Sequence, residues 1–475
     1  MDRLLEDVDV VSRRGRLDTT EVTSVEHESQ RVGPGALFCC VRGAERDGHD
    51  FASDAVARGA VGLLLERSQD LDVPQAVVAE GATRRSMARV AATFYGHPAR
   101  ALEMIGVTGT NGKTTVTHML SAIFEAHGLP TTVVGTLGGA RTTPEATVLQ
   151  RVLADARDAG QRVAALEVSS HALAQDRVEG IRFDAAVFTN LGHDHLDYHR
   201  TMEDYFAVKA SLFTPGRAAV GIVGVDGPWG RRLAESVSTH VVPYSMSEVS
   251  DVEADAARTV FSWRGRRVVL HLAGLFQVPN ALAAATTAVV LGVPEDVVAA
   301  GLAEARQVPG RFEIVEAGVP FTIVVDYAHT PEGLEVALES ARHLAKTQKV
   351  IVVFGAGGGR DREKRPAMGA AAAACSDLAI ITSDNPRGED PIAIIEAVLS
   401  GVDDRAKVIV EAERRRAIEV ALERADPGDV VLLAGKGHES EIEMGDDRLT
   451  FDDRVEAQAA ARRLLSGGTA GGGAR

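Results

Sequence analysis

Cysteine is scarce in this sequence, and long apolar runs are missing from it. The only cysteines are Cys39, Cys40 and Cys375 among 475 residues, which suggests no disulfide framework. No apolar run approaches the roughly 18 residues that a membrane-spanning helix needs. The first ten residues, MDRLLEDVDV, are acidic and lack the apolar core of a signal peptide. These absences predict a cytoplasmic protein without a membrane span.

Positive charge is also in deficit. The chain has 51 Lys and Arg residues against 67 Asp and Glu residues, and its formal net charge at pH 7 is -16. The phosphates of a nucleic acid would be repelled, so no nucleic-acid partner is expected. A bound nucleotide needs only a local positive site and remains compatible with this charge. Because hydrophobic (45%) and charged (25%) contents are ordinary, we expect a globular protein, and we expect it to be a monomer.

Strands and helices alternate along the chain, and two breaks divide them into three parts. The first break is the Gly- and Pro-containing stretch at residues 95–100, and the second lies at residues 308–312. We therefore predict domains at residues 1–100, 101–308 and 309–465, followed by a disordered Gly-rich tail at 466–475. Near-continuous apolar strands between helices predict an α/β fold with mostly parallel sheets covered on both faces.

A Gly- and Thr-rich stretch after the first strand of the central part suggests a phosphate loop. The strict pattern G-x-x-x-x-G-K-[ST] fails, because Val107 stands where the first glycine should be. The stretch GVTGTNGKTT nevertheless follows an apolar strand and opens a helix. Glycines allow backbone N–H groups to face an anion, and the helix amino terminus adds a favourable dipole. The predicted phosphate ligands are Gly109, Thr110, Asn111, Gly112, Lys113, Thr114 and Thr115.

Acidic and imidazole side chains gather after the next strands of the central part. They are Glu167 in LEVSSHAL and His193, Asp194, His195, Asp197 and His199 in FTNLGHDHLDYH. Zinc is one candidate, but no cysteine is nearby and the histidine spacings fit no common zinc pattern. A carboxylate, a hydroxyl and one imidazole beside a triphosphate suit Mg²⁺ better. Helix capping and solvent exposure are the alternative roles of these side chains.

The C-terminal part carries four polar strings, each after a predicted strand. They read DYAHTPEG, GGGRDREKRP, SDNPRGEDP and GKGHE. Ligands bind at the carboxyl ends of strands in open α/β sheets, so we expect a site in the cleft between the central and C-terminal domains. Arginine pairs bidentately with carboxylates, which makes Arg360 and Arg387 candidate carboxylate ligands. The charged run around Arg360 is equally typical of a solvated surface.

Together these strings resemble the Mur ligase family, whose members are ATP-dependent enzymes that build the peptide of the bacterial cell wall. GTNGKTT is similar to that family's own variant of the phosphate loop. The strings EVSSHAL, FTNLGHDHLDYH, DYAHTPEG, DNPRGEDP and GKGHE resemble those of the members that add the third residue of the peptide. The match covers nearly the whole chain, and its motifs occur in the family's order.

The resemblance implies a separate task for each domain. The N-terminal domain would bind a UDP substrate, the central P-loop ATPase-like domain would bind ATP, and the C-terminal Rossmann-like domain would bind an amino acid. In the implied reaction of peptidoglycan precursor synthesis, ATP with Mg²⁺ phosphorylates the D-Glu carboxylate of UDP-MurNAc-L-Ala-D-Glu. The amine of meso-diaminopimelate then attacks the acyl phosphate. A carboxylate is a poor electrophile, and the phosphate provides a leaving group.

The resemblance also implies roles for individual residues. The implied catalytic set is Lys113, Glu167, His195 and Lys209. Magnesium would be surrounded by Thr114, Glu167 and His195, and Lys209 would be carbamylated. Without the resemblance, Lys209 would be interpreted as a surface lysine on a helix. Further nucleotide positions are Asn280, Arg311 and Asp326. The UDP-substrate positions are Ser29, Thr142, Thr143, Ser169, Gln175 and Arg177, and the amino-acid positions are Arg360, Asp384, Asn385, Pro386, Arg387, Gly435 and Glu439.

Two positions depart from the family pattern and leave alternatives open. Gln30 stands where the family has an arginine, and Gln277 stands where it usually has an asparagine. The first change removes a charge-assisted contact to the UDP sugar. One alternative is a related ligase that joins another amino acid, such as L-lysine, or acts on another acid, as folylpolyglutamate-type enzymes do. A catalytically inactive nucleotide-binding protein is the other, and it is disfavoured because the whole catalytic set is present.

Overall fold

The computed structural model describes residues 1–43, 46–139 and 141–468. Within them, three successive stretches each build a mixed or parallel sheet with helices around it. Two hydrophobic clusters belong to each of these sheets, so both faces of every sheet are covered. The predicted α/β fold is confirmed. None of the helices in these ranges is long and apolar enough to cross a membrane.

The N-terminal sheet has the strand order β1-β5-β4-β3-β2, and only β1 runs antiparallel to its neighbour. Apolar runs such as AVGLLL form its buried strands, as expected from their β-branched and aliphatic content. Its elements are β1 (Val10–Arg14), β2 (Ser24–Glu26), β3 (Ala36–Cys39), α1 (Ala52–Ala57), β4 (Ala60–Leu65), β5 (Gln75–Val78) and α2 (Thr83–Phe94).

The central sheet is fully parallel, with the order β11-β10-β9-β6-β8-β7. Its strands are β6 (Glu103–Thr108), β7 (Thr131–Val134), β8 (Val163–Glu167), β9 (Phe183–Phe188), β10 (Ala218–Gly224) and β11 (His240–Tyr244). Its helices are α3 (Lys113–Ala126), α4 (Ala146–Asp158), α5 (Ser170–Ala174), α6 (Leu196–His199), α7 (Met202–Ala210), α8 (Pro228–Ser236), α9 (Gln277–Val290) and α10 (Glu295–Glu304). The strands β9, β6 and β8 are neighbours, so the segments that follow them leave the same edge of the sheet.

A small antiparallel sheet lies between β11 and α9. It consists of β12 (Val249–Ala254), β13 (Thr259–Trp263) and β14 (Arg266–Leu270). The stretch TVFSWRGRRVVLHL forms the antiparallel hairpin of β13 and β14. Its turn is Arg264-Gly265, where φ is 47° and 75°, the left-handed values that two-residue hairpin turns require.

The C-terminal sheet has the order β15-β16-β20-β17-β18-β19, and only β15 is antiparallel. Its elements are β15 (Glu313–Ile314), β16 (Thr322–Asp326), α11 (Pro331–Ala345), β17 (Val350–Phe354), α12 (Lys364–Cys375), β18 (Leu378–Ile381), α13 (Pro391–Leu399), β19 (Val408–Val410), α14 (Arg414–Arg424) and β20 (Val430–Ala434). A hairpin of β21 (Glu441–Met444) and β22 (Asp447–Thr450) precedes α15 (Asp453–Gly468). This last helix extends three residues into the predicted tail, and residues 469–475 lie outside the described residues.

Candidate functional site

The stretch between β6 and α3 forms a tight loop at the start of a helix. Gly112 precedes α3 with a φ of 87°, and a Cβ there would lie 2.4 Å from Asn280 Oδ1. Gly109 has a φ of 149°, and a Cβ there would lie 1.9 Å from Thr189 Oγ1. Only glycine fits both positions. The resulting backbone cradle at a helix amino terminus suits a phosphate group.

Lys113 lies back over this loop. Its Nζ donates to the carbonyl oxygens of Gly109 and Thr110, each at 2.8 Å. Burial lowers the pKa of Lys113 from its usual value, and Glu167 opposes the shift. The amine is therefore close to the cradle and can reach a terminal phosphate by releasing two carbonyl contacts. Thr110 is buried beside it, with Oγ1 at 3.2 Å from Tyr205 Oη.

Glu167, at the end of β8, is buried among hydroxyl and amide donors. Its carboxylate accepts from Thr114 Oγ1 at 3.0 Å, from the Thr136 amide at 2.8 Å and from Thr136 Oγ1 at 3.1 Å. Arg311 Nη2, from the chain that leads into the C-terminal sheet, donates to Thr114 Oγ1 at 3.1 Å. A carboxylate beside a hydroxyl at a phosphate cradle is a suitable oxygen donor set for Mg²⁺, which usually binds one or two carboxylates together with phosphates and water.

No cluster of three or more His, Cys, Asp or Glu side chains that could hold a metal occurs among the described residues. A zinc site built from protein ligands alone is therefore not supported there. Two of the residues predicted to surround magnesium, Thr114 and Glu167, are hydrogen-bonded to each other. The third predicted metal residue, His195, contacts other groups: its Nε2 is 3.3 Å from Asp194 Oδ2, and its ring packs on His171 at 4.8 Å between centroids. Burial lowers the pKa of His195 to about 3, so its imidazole is neutral near pH 7.

Asp194 connects the central domain to the C-terminal domain. Its Oδ1 lies 3.5 Å from Lys364 Nζ and its Oδ2 lies 3.8 Å from His329 Nε2. Lys364 is only 5% exposed, although the charged run that contains it had been compatible with a solvated surface. A second link joins the same two domains, because Glu332 accepts from the His193 amide at 2.9 Å. The cleft is thus bridged by charged and hydrogen-bonded side chains.

Lys209 is buried, with 1% of its surface exposed, so the surface interpretation from residue type alone was wrong. Its Nζ donates to the Gly109 carbonyl at 2.9 Å and lies 4.7 Å above the centre of the Tyr205 ring. Within the described chain no carboxylate forms an ion pair with it. Burial, together with the positive charge of Lys113, lowers its pKa well below the usual value. An unprotonated amine is the form that could react with CO₂.

Two of the other predicted nucleotide residues reach the cradle, namely Asn280 and Arg311, whose Nη2 donates to Thr114 Oγ1. Asn280 on α9 contacts Gly112 and receives support from Gln277, whose Oε1 accepts from Asn280 Nδ2 at 3.4 Å. The departure at Gln277 thus retains a side-chain amide that holds Asn280. Asp326 ends β16 and accepts from the Phe312 and Ala328 amides at 2.7 and 2.8 Å. Burial raises the pKa of Asp326 to about 6.

Five of the six residues predicted to bind the UDP substrate form one connected group. Thr143 Oγ1 donates to the Glu167 carbonyl at 2.7 Å and accepts from the Ser169 amide at 3.0 Å. Arg177 donates to the Thr143 carbonyl at 2.9 Å and to Gln175 Oε1 at 2.8 Å. Thr142 joins through Thr136, with the two hydroxyl oxygens 3.1 Å apart.

The sixth residue, Ser29, lies in the N-terminal domain in a short 3₁₀ helix. Its neighbour His27 reaches the central domain, with Nδ1 at 3.0 Å from Thr147 Oγ1 on α4. Gln30, the departure from the family pattern, is exposed beside it. A residue that sequence reasoning missed is Glu145, which pairs with Arg84, Arg141 and Arg177 at 3.0, 3.0 and 2.9 Å. No motif drew attention to it, because two of its partners, Arg84 and Arg177, come from distant segments.

Most of the predicted amino-acid residues lie at the carboxyl edge of the C-terminal sheet. Asn385 donates to Glu439 Oε2 at 2.8 Å and accepts from Lys436 Nζ at 3.1 Å. Asp384 is buried next to Gly435, where a Cβ would lie 2.6 Å from Asp384 Oδ2. Burial and Asp384 raise the pKa of Glu439. Pro386 connects this group to Arg387.

The two candidate arginines flank one glycine turn. A Cβ on Gly357 would lie 3.1 Å from Arg387 Nη1 and 3.9 Å from Arg360 Cγ. Arg360 is exposed. Arg387 is already engaged: its Nε donates to Glu443 Oε2 at 2.7 Å and its Nη1 donates to the Gly358 carbonyl at 2.8 Å. The sequence did not indicate this pairing, because Glu443 lies 56 residues away in the β21 strand.

Comparison with protein families gives three matches that together span most of the chain. Residues 21–106 match a model described as the Mur ligase family catalytic domain. Residues 107–288 match the Mur ligase middle domain, and residues 310–437 match the Mur ligase glutamate ligase domain.

Individual proteins agree with these matches. A protein of Geobacillus kaustophilus (strain HTA426), named UDP-N-acetylmuramoyl-L-alanyl-D-glutamate--2,6-diaminopimelate ligase, is 44% identical over 93% of this chain and 95% of its own length. A solved structure of a ligase with the same name has 30% identity and a TM-score of 0.63, covering 94% of this chain and 95% of that one. MurF from Acinetobacter baumannii has 19% identity and a TM-score of 0.70, with 98% of both chains covered, and shares the fold.

The phosphate cradle generates a first prediction. Gly112→Ala should weaken ADP binding by at least about tenfold, because the new Cβ pushes Asn280 away and displaces the loop. Gly128→Ala is the matched control: its φ of 79° imposes a similar backbone cost, but a Cβ there meets nothing within 4 Å. Calorimetric titration with ADP measures both. Equal affinity of the two variants would contradict the cradle assignment.

Proposed function

This chain belongs to the Mur ligase family, and we propose that it joins meso-diaminopimelate to UDP-MurNAc-L-Ala-D-Glu while ATP is converted to ADP and phosphate. The observation that carries the proposal is the buried amine of Lys209 at the phosphate cradle, where its Nζ donates to the Gly109 carbonyl at 2.9 Å. The activity in the name of the Geobacillus relative is the one that these residues can perform. In this proposal the guanidinium of Arg387 binds the second carboxylate of diaminopimelate.

The first step needs positive charge around the transferring phosphate. Backbone amides of the cradle and the amine of Lys113 hold the terminal phosphates of ATP, and Arg311 approaches from the C-terminal domain. Mg²⁺, held by Glu167 and Thr114 together with phosphate oxygens, would neutralise charge on these oxygens. The D-Glu carboxylate attacks the γ-phosphate, and the acyl phosphate that forms then reacts with the amine of the amino acid.

Lys209 acts in this proposal as a carbamate. The unprotonated form of its buried amine bonds to CO₂ through the nitrogen and releases a proton, which leaves an anionic carbamate. The position beside the Gly109 carbonyl places this group at the cradle. His195, which is adjacent to Asp194, is near Lys209, because both contact the ring of Tyr205.

The substrates enter from opposite ends of the cleft. The group around Thr143 and Arg177 takes the UDP-linked dipeptide, with Ser29 toward the nucleotide end. The group of Asn385, Glu439 and Arg387 takes the amino acid. Accordingly, we divide the tasks among domains at residues 1–100, 101–308 and 309–465, in a cytoplasmic monomer.

The reaction itself is the first test of this function. With ATP, Mg²⁺, UDP-MurNAc-L-Ala-D-Glu and meso-diaminopimelate, phosphate release should be observed. Omission of either UDP-MurNAc-L-Ala-D-Glu or meso-diaminopimelate should stop it. A coupled phosphate assay measures the rate, and mass spectrometry identifies the tripeptide product. Turnover with a folate or another acid, and none with this substrate, would instead support the related-ligase alternative that Gln30 leaves open.

Lys209→Ala should lower turnover by about 10- to 100-fold, in the range found when groups that support a metal site are removed. Short carboxylic acids such as acetate should partly restore it, because they can occupy the place of the carbamate. Lys407→Ala, an exposed lysine, serves as the control. With ¹³C-bicarbonate, wild-type protein should give a carbamate NMR signal that Lys209→Ala lacks. Full turnover of the Lys209→Ala variant would eliminate the role.

Arg387→Ala should lower kcat/KM for meso-diaminopimelate roughly ten- to a hundredfold. This corresponds to a loss of about 1.5–3 kcal/mol of transition-state stabilisation. The planar fork pairs with the carboxylate at the far end of the amino acid and repels the lone ammonium of L-lysine. The KM for ATP should change little. Initial rates with both amino acids measure the effect. Wild-type protein that uses L-lysine equally well would defeat this assignment, whatever the variant does.

A further inference from the structure

The hairpin of β21 and β22 is attached to Arg387 by both backbone and side chain. The Arg387 amide donates to the Glu443 carbonyl at 2.9 Å, and Arg387 pairs with Met444 in an isolated parallel bridge. The Arg387 backbone has a φ of 53°, so it turns sharply at this point. These contacts fix the backbone of Arg387 independently of its side chain.

The guanidinium group is fixed as well. Its Nε donates to Glu443 Oε2 and its Nη1 donates to the Gly358 carbonyl, which uses two of the five N–H donors. These two contacts hold the guanidinium at two of its three nitrogens. In the described part of the chain no acceptor is bound to Nη2. The edge formed by the two terminal nitrogens therefore keeps donors for a carboxylate.

Glu443 itself is held from its other side. Its Oε1 lies 3.6 Å from Arg448 Nη2, and its backbone amide donates to Asn385 Oδ1 at 3.0 Å. The carboxylate is thus anchored between Arg448 on β22 and Arg387. It is also 33% exposed, so it is no part of a buried core. A partly exposed carboxylate with these partners can hold the guanidinium of Arg387 in place.

We infer that Glu443 is a positioning residue for amino-acid selection, an inference that rests on the proposed function. Glu443 holds the guanidinium of Arg387 so that its terminal edge is ready for the second carboxylate of the incoming amino acid. A long arginine side chain that is 29% exposed would otherwise lose rotational freedom when the ligand binds. Glu443 restricts that freedom already in the folded protein, before the ligand binds.

The test compares Glu443→Ala and Glu443→Gln with wild type in steady-state kinetics. Glu443→Ala should raise the KM for meso-diaminopimelate about tenfold, with kcat and the KM for ATP nearly unchanged. Glu443→Gln keeps an acceptor for Arg387 Nε, so its KM should rise only about two- to threefold. Glu441→Gln is the matched control, since Glu441 lies on the same strand and pairs only with Arg448 through its side chain.

A second readout separates positioning from damage to the hairpin. The ratio of kcat/KM for meso-diaminopimelate to that for L-lysine should fall about tenfold in Glu443→Ala, because lysine has no second carboxylate to lose. An unchanged ratio, an unchanged KM or a lower KM for meso-diaminopimelate in this variant would overturn the inference. Thermal melting shows whether the variant folds, and if Glu443→Ala fails to fold, the Glu443→Gln ratio decides. A wild-type protein without activity would overturn the proposed function instead.

Discussion

The parallel pairing of β9, β6 and β8 is the constraint on which the candidate site depends. Parallel neighbours bring their carboxyl ends to one edge, so the segments after Thr108, Glu167 and Phe188 meet although they are about 20 to 80 residues apart in the chain. The phosphate cradle, the Glu167 carboxylate and the loop with His195 are consequences of that pairing. Strand order β16-β20-β17-β18 does the same for the C-terminal motifs.

The two edges then face each other across a polar cleft. Arg311 reaches Thr114, Lys364 reaches Asp194, and Glu332 reaches the His193 amide. Each bridge joins a residue of the central domain to a residue of the C-terminal domain. Buried charges are costly unless they are paired, so these contacts are favourable only when the two domains are together. The phosphate cradle and the polar motifs of the C-terminal domain are therefore linked through these contacts.

Charged residue types were the least predictable part of the chain. Lysines are usually exposed, yet Lys209 and Lys364 are buried, and both lie at the cleft. Arg387, proposed as a free carboxylate ligand, already has a partner in Glu443. In each instance the environment is built by a segment far away in sequence. Residue type and local spacing contain no information about such a partner, whereas the family resemblance pointed to Lys209 without giving its surroundings.

Local chemistry in the sequence determined much of the rest. Apolar strands ending in polar residues predicted the α/β sheets, and the spacing of glycines before Lys113 predicted a phosphate cradle despite Val107. The helix from Lys113 to Ala126 follows from its own periodicity. Tertiary structure alone decided which groups far apart in the chain meet: the pairing of Glu145 with Arg84 and Arg177, and the pairing of Arg387 with Glu443. Secondary structure depends on short-range periodicity, but pairing of distant side chains depends on sheet order and domain packing, which no local pattern specifies.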